Sequence, residues 1–390
     1  MENVGNPVPG GFGLYIHWPF CVSKCPYCDF NSHVADTVDD AAWQRNLLAE
    51  LDHYGTKTKG RRLDSVFFGG GTPSLMPPAI VAALLGRLSD YWSVPSDLEV
   101  TLEANPSSIE AQKFADFRAA GVNRVSVGIQ SFDDAALKFL GRAHSAAEAS
   151  AAITIAEQSF DRVSFDLIYA LPGQSRDAWT SELADALSRG TGHLSLYQLT
   201  IEKGTPFYSD HRRGMFALPD EDLAADLYEL TGEMTSKAGF DAYEVSNYAR
   251  SGQESRHNLV YWRGGDYIGV GPGAHGRLTL AGKRLRTEQV PGPAGWLTAV
   301  TQDGHATRVY ERVASTEQAE EHLMMGLRLA EGIDRVQFAQ SVGRSLDDCI
   351  DGAKIAALSE AGLLVADPRG LRATTAGIQR LNAIIAAIIL

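Results

Sequence analysis

The fold that this sequence predicts is α/β: a partial (β/α)6 barrel followed by a smaller, mainly helical C-terminal domain. Three observations predict it. Six short β-branched runs recur through the first half of the chain, and the stretches between them space their apolar residues as helices do. This alternation implies parallel strands, since a parallel pair needs a crossover connection. After about Pro291 the alternation gives way to a mainly helical pattern.

The runs are Gly13 to His17, Ser65 to Phe68, Leu98 to Leu102, Arg124 to Val127, Arg162 to Leu167 and Leu194 to Leu199. Six units fall short of the eight in a closed barrel, so an open barrel is expected, with ligand-binding groups at the carboxyl ends of its strands. Among the intervening helices, Ser107 to Ala120 opens on Ser107-x-x-Glu110, a capping-box pattern, and Gly121 reads as its stop. Beyond Thr205-Pro206 a charged, extended piece is expected to Pro219. A helix from Asp220 to Ala238, a strand-like Asp241 to Ser246 and a Gly-rich segment from Arg263 to Gly276 follow. Helices are expected at Ser315 to Ala330 and Asp347 to Ala361, then a small hairpin at Gly362 to Ala373. The division expected is an N-terminal segment over 1–12, the barrel over 13–288 and a winged-helix-like domain over 289–390.

With 390 residues and 44% hydrophobic content, the chain can bury a core larger than that of a typical single domain. A formal charge of -13 disfavours a nucleic-acid surface, which needs clustered Lys and Arg to neutralise phosphates. Met1 to Phe12 lacks the basic start and apolar core of a secretory or transit peptide. The most apolar stretch, Ala383 to Leu390, falls far short of the ~20 residues that cross a bilayer, and reads as the last turns of a packed helix. A cytoplasmic protein is the expectation.

The chemistry concentrates at Cys21, Cys25 and Cys28, spaced Cys-x-x-x-Cys-x-x-Cys. Three thiolates on one short loop can each ligate one iron of a cubane, leaving the fourth iron open to another ligand. A structural zinc site is the alternative, but it normally has four protein ligands, and the flanking His17 and His33 lack finger spacing. A disulfide framework is a poorer one, because three crowded cysteines and the distant Cys349 make a bad set of bridges. Cys349 lies in an apolar, helical-looking stretch and reads as core.

Tyr15-Ile16-His17-Trp18-Pro19-Phe20-Cys21 and the loop that follows resemble the radical S-adenosylmethionine (SAM) superfamily and, within it, the coproporphyrinogen-oxidase-like group. The resemblance implies a [4Fe-4S] cluster on Cys21, Cys25 and Cys28. It also implies SAM chelated to the open iron, where one-electron reduction can cleave it to a 5'-deoxyadenosyl radical. Gly70, Gly71 and Thr72 follow the second strand, where missing side chains let backbone approach a ligand; in the family this segment contacts the SAM amino group. Glu103 ends the third strand and by resemblance faces SAM. Gln130, Arg142 and Asp166 match positions that hold the ribose hydroxyls and the SAM carboxylate, roles that suit a guanidinium and a carboxylate. Tyr15, Tyr27 and Thr200 join these expected SAM contacts. The structural alternatives are a tight turn at the glycines and solvated or ion-paired polar groups on the rim, and His144 reads as a rim histidine.

The oxygen-independent coproporphyrinogen III oxidases carry a further cysteine two positions after the third and a long N-terminal extension. Here Phe30 stands at that position and the motif already begins at Tyr15. Arg256-His257-Asn258-Leu259-Val260-Tyr261-Trp262 instead resembles the His-Asn-x-x-Tyr-Trp signature of the HemW family of heme chaperones, and Cys28-Asp29-Phe30 agrees. Histidine is a common axial ligand of haem iron, and Tyr and Trp offer flat faces to a macrocycle. His257, Asn258, Tyr261 and Trp262 are therefore expected haem contacts, with His275 as a second candidate. The alternative has His257 and Asn258 hydrogen-bonded in a turn and the two aromatics packed in a strand. The resemblance implies a chaperone that binds cluster, SAM and haem and passes haem to an acceptor haem protein, membrane-associated, from a homodimer peripheral to the membrane. The rival readings are an oxygen-independent coproporphyrinogen III oxidase or another radical SAM oxidase, and a cluster-bearing scaffold that binds neither SAM productively nor haem.

Overall fold

The alternating runs assemble, in a computed structural model, into one twelve-stranded sheet. The structure describes residues 9–35 and 37–390, so the expected segment 1–12 lies mostly outside it. The strands are β1 (Phe12–Trp18), β2 (Ser65–Gly70), β3 (Glu99–Ala104), β4 (Arg124–Gln130), β5 (Arg162–Tyr169) and β6 (His193–Gln198). They continue as β7 (Asp241–Ala242), β8 (Asn247–Ala249), β9 (Asp266–Val270), β10 (His275–Leu280), β11 (Lys283–Gln289) and β12 (Thr307–Arg312). Their order is β12-β11-β10-β9-β1-β2-β3-β4-β5-β6-β8-β7. β1 to β6 run parallel in sequence order, and β9 joins them in parallel on the free edge of β1.

Strand pleating sorts the side chains of these parallel strands into two sets. Leu14, Ile16, Trp18, Val66, Phe68, Val100, Leu102, Val125, Val127, Phe165, Leu167, Leu194 and Leu196 are buried beneath the helices and form the main core. The alternate set is polar, including Ser65, Glu99, Thr101, Glu103, Arg124, Ser126, Ser164, Asp166, His193 and Ser195. An interior lined this way is not the stack of branched aliphatics that fills a closed barrel. It is built to face polar ligands.

The strand end that delivers the cysteines is pinned by aromatic rings. Trp18 meets Phe20 and Trp43 edge-on at 5.3 Å, and Trp43 stacks on Trp296 at 5.0 Å and 13°. Each such ring contributes on the order of 2 kcal/mol by burial. Trp296 comes from the Pro293–Asp303 helix, and β12 then completes the sheet, so the main unit runs past the expected boundary at 288. A second core, from Ala319 to Ile388, gathers the C-terminal helices around a three-stranded sheet of Ile333–Asp334, Gly370–Ala373 and Leu364–Ala366.

Several local expectations change. The Gly-rich segment 263–276 contains β9, a core strand between two glycine turns. The piece after Thr205 is a helix, Pro206–Arg212, capped by the Thr205 hydroxyl. The Ser107 helix is broken into Ser108–Ala111 and Phe114–Ala120, although Gly121 does end it in the left-handed region at φ 112°. The helix expected from Asp347 starts at Gly352, because the Asp351 carboxylate accepts from Ala353 and Lys354 N–H; this leaves Cys349 in the preceding turn, still buried. Among the described residues no helix is long and apolar enough to cross a membrane.

Candidate cofactor site

The cysteine loop leaves the C-terminal end of β1 and crosses the mouth of the barrel. Its first residues are tied to the glycine segment after β2: Gly71 N–H donates to Trp18 O at 2.7 Å and Thr72 N–H to Phe20 O at 2.8 Å. Side chains at Gly70 or Gly71 would collide with the His17 ring or the Pro19 and Phe20 backbone, so close approach of two segments is what these glycines permit. His17 is fixed in one tautomer, its Nε2 donating to Asn31 O at 2.9 Å and its Nδ1 accepting from Tyr15 OH at 3.0 Å.

Two donors reach the thiols. The Thr72 hydroxyl lies 3.4 Å from Cys21 Sγ, and the Arg142 guanidinium lies 3.4 Å from Cys25 Sγ. The other arm of Arg142 is held by Asn105 Oδ1 at 2.7 Å and Gly128 O at 2.8 Å. Asn105 in turn donates to Thr72 Oγ1 at 3.1 Å. Burial pushes the Cys21 thiol up, against the hydrogen bond from Thr72, and the other two cysteines raise it further. Among the described residues no three metal-ligating side chains converge to share a single ion.

Two buried carboxylates stand on β3 and β5. Glu103 accepts from Gly70 N–H at 3.2 Å, and burial together with the charge of Asp166 raises its pKa to about 8. Asp166, also raised by burial, accepts from Ser126 Oγ at 3.2 Å. Gln130 ends β4 in the left-handed region, φ 70°, at an irregularity in the pairing with β5. A non-glycine residue held there stores strain that the surroundings must enforce, a common mark of a functional position. Tyr27 packs near Phe207, and Tyr197 keeps 41% of its surface open. Thr200, beyond β6, is exposed and shares no hydrogen bond with this group.

The fit to an anionic cluster and an amino-acid ligand can be judged from the donor set. The Arg142 guanidinium lies beside Cys25, and its Nε–H is buried with a donor to spare. Glu103 and Asp166 are enclosed carboxylates that make no salt bridge among the described residues, although Arg124 and Arg142 act on Asp166 from further off, and such a pair favours an ammonium or hydroxyl guest. The residues therefore fit both groups. Sequence reasoning missed Asn105, the hub between Thr72 and Arg142, because Asn before Pro106 reads as a turn.

The expected haem residues lie at the other end. Arg256–Trp262 is a helix, capped by Ser255 Oγ, that plugs the barrel at the N-terminal ends of its strands. His257 is 1% exposed. One ring nitrogen meets Ser65 Oγ at 2.8 Å and the other Tyr261 OH at 2.7 Å, while the backbone N–H of His257 donates to Glu99 Oε1 at 3.1 Å. Burial, reinforced by Arg124, lowers its pKa to about 3. With both ring nitrogens hydrogen-bonded, His257 bolts the plug helix to the barrel floor. Asn258 donates to Tyr243 OH at 3.3 Å, and Trp262 lies under the Arg328 guanidinium with its own Nε1 buried and unpartnered. His275 is exposed on β10, 3.9 Å from Glu288. His144 is buried, its Nε2 bonded to Ile129 O.

An open parallel barrel with a three-cysteine loop across the C-terminal ends of its strands defines a radical SAM protein. Residues 15–185 match the Radical SAM superfamily and residues 313–380 the HemN C-terminal domain. The chain is 42% identical to the bovine (Bos taurus) radical S-adenosyl methionine domain-containing protein 1, mitochondrial, over 98% of this chain and 89% of that one. It is 40% identical to the heme chaperone HemW of Escherichia coli over 85% of this chain and 86% of that one. The solved coproporphyrinogen III oxidase HemN of Escherichia coli shares the fold, with a TM-score of 0.79 at 22% identity over 99% of this chain and 90% of that one. The chain belongs to the HemW/HemN-like group of the radical SAM superfamily.

Proposed function

We propose that this protein is a heme chaperone: it holds a [4Fe-4S] cluster and SAM at the barrel mouth, binds haem, and passes haem to a membrane-associated haem protein. The observation that carries the reading is the 40% identity, sustained over 85% of this chain, to a protein named as a heme chaperone. The cluster and SAM, when bound, supply one-electron chemistry. The chain's own residues position them. Cys21, Cys25 and Cys28 ligate iron, Arg142 and Thr72 donate to the ligating sulfurs, and Glu103, Asp166 and Gln130 receive the amino and hydroxyl groups of SAM. Arg142 and Thr72, with Gly70, Gly71, Tyr15, Tyr27 and Thr200, complete that proposed SAM set.

The test is a haem titration of the anaerobically reconstituted protein, followed at the Soret band, with Cys25→Ser alongside. Saturation at about one haem per chain, kept in a Cys25→Ser variant that no longer assembles a cluster, is the expected result. Absence of saturable binding by the wild-type protein overturns the reading.

A further inference from the structure

Between the cofactor residues at its mouth and the plug helix at its floor, the barrel keeps an open lumen. The inward-facing residues halfway up β4, β5 and β6 are Ser126, Ser164 and Ser195, side chains too short to meet across the interior. Around and above them Tyr15, Glu103, Asp166, Tyr197 and Tyr243 each leave part of their surface open, Tyr197 as much as 41%. Yet burial is the largest cause of the raised pKa of every one of the five. Surface that is open to a small molecule and still deep within the protein belongs to an internal cavity.

At the base of this lumen lies Arg124, the first residue of β4, only 2% exposed. Strand pleating puts its side chain in the inward set with Ser126. Its charge acts on Asp166 of β5, His193 of β6, Tyr243 and His257 of the plug helix, groups that surround the lumen. Among the described residues, however, its guanidinium has no salt bridge and no hydrogen-bond acceptor. The carboxylates around it are committed elsewhere: Glu99 to Arg162 at 2.6 Å and to the His257 N–H at 3.1 Å, and Asp166 to the Ser126 hydroxyl at 3.2 Å. Both nitrogens of His193 are taken too, by Ser164 Oγ at 2.7 Å and Tyr243 OH at 2.8 Å. Arg162 feels Arg124 as a like charge, so Glu99 serves two guanidinium groups and one positive charge is left over. A guanidinium cannot shed its proton, and a buried charge without a partner is costly.

We infer that the barrel lumen binds a small monocarboxylate, its carboxylate on the Arg124 guanidinium and its hydroxyl or amino substituents toward Glu103 and Asp166. The planar fork of N–H donors matches a carboxylate in two parallel bonds. One negative charge balances the one unpaired cation, whereas a phosphate dianion would bring a second charge into space that already faces two carboxylates. From Arg124 to Gly128, whose carbonyl holds Arg142, β4 climbs four residues, about 13 Å. A ligand anchored at the floor thus extends toward the residues assigned to SAM and lies beneath the cofactors, where a substrate would. This site is independent of the haem reading.

The experiment titrates glycolate into the anaerobically reconstituted full chain with SAM present, at constant ionic strength, and follows binding by saturation-transfer NMR of the glycolate protons. Glycolamide serves as the neutral isostere and inorganic phosphate as a competitor. Saturable glycolate binding with a Kd of about 1 mM is expected, with none by glycolamide and weaker competition by phosphate than by unlabelled acetate. Arg124→Lys keeps the charge but loses the fork, and should weaken glycolate about tenfold. Arg124→Gln should abolish binding, while its urea midpoint without ligand equals or exceeds that of the wild type, because the change removes a charge that has no partner. A lowered midpoint or failure to fold in Arg124→Gln makes Arg124 a structural residue and overturns the proposal. So does an absence of saturable glycolate binding by the wild type, equal binding of glycolamide, or unchanged affinity in Arg124→Lys. Phosphate competing better than acetate overturns the carboxylate assignment. Haem titration of the same preparations reads the chaperone function separately, so either result can fail alone.

Discussion

Arg142 does three jobs with one planar group: it reaches Cys25 Sγ, Asn105 Oδ1 and the Gly128 carbonyl. A lysine has the charge but only a single point of donation. Arg142→Lys is therefore expected to keep the cluster's absorption yet lose about tenfold in SAM affinity by equilibrium binding to the reconstituted protein; equal affinity would remove Arg142 from the SAM site. The sequence expects the cysteines, the glycine segment and Glu103 at the ends of the first three strands, and the structure places them there, because motif and strand end coincide; Arg142 comes instead from the turn after the Asp134–Phe139 helix. Asn105 was not legible, because it acts through two residues distant in sequence.

At the scale of elements, the informative case is the helix Asp40–Lys57, through which Glu50 ties the sheet together. Its fully buried carboxylate accepts from Gly271 N–H at 2.7 Å, Trp296 Nε1 at 2.9 Å and Ala306 N–H at 2.8 Å. Glu50→Ala strands three buried donors and leaves a cavity, a loss of about 3 kcal/mol or more measurable by urea unfolding. A smaller loss would mean that water replaces the carboxylate. The parallel barrel strands were visible in the sequence from their β-branched runs, but β9 was hidden, since Asp266-Tyr-Ile-Gly-Val is short and glycines on both sides read as turns. The plug helix was hidden too: its β-branched and aromatic residues suit strands as well as helices, and the deciding signal is the Ser255 cap.

Across the whole molecule, buried titrating groups oppose one another. His257 titrates at about 3, His144 and His322 at about 4, all below the ordinary 6.5, so the unfolded chain binds more protons than the folded one as pH falls. Their stability contribution is whole above 6.5 and is lost toward acid. Glu50, at about 7, and Glu103, at about 8, lie above the ordinary 4.5, so the folded chain holds more protons and their contribution fades as pH rises through those values. Three histidines outweigh two carboxylates below pH 6.5, and Glu103 acts last. The urea midpoint of the cofactor-free protein should peak at about pH 6.5, with Glu103→Gln flattening the alkaline decline. A midpoint still rising from pH 7 to 8 would contradict this balance.

The partner of β1 on its outer edge is β9, so the strand that carries the cysteines pairs with residues 266–270. During synthesis that edge stays bare until most of the chain has left the ribosome, and a bare strand edge invites pairing with other chains. The cysteine loop is thus born early on a scaffold completed late, which makes truncated or stalled chains the ones most prone to aggregate with their thiols exposed.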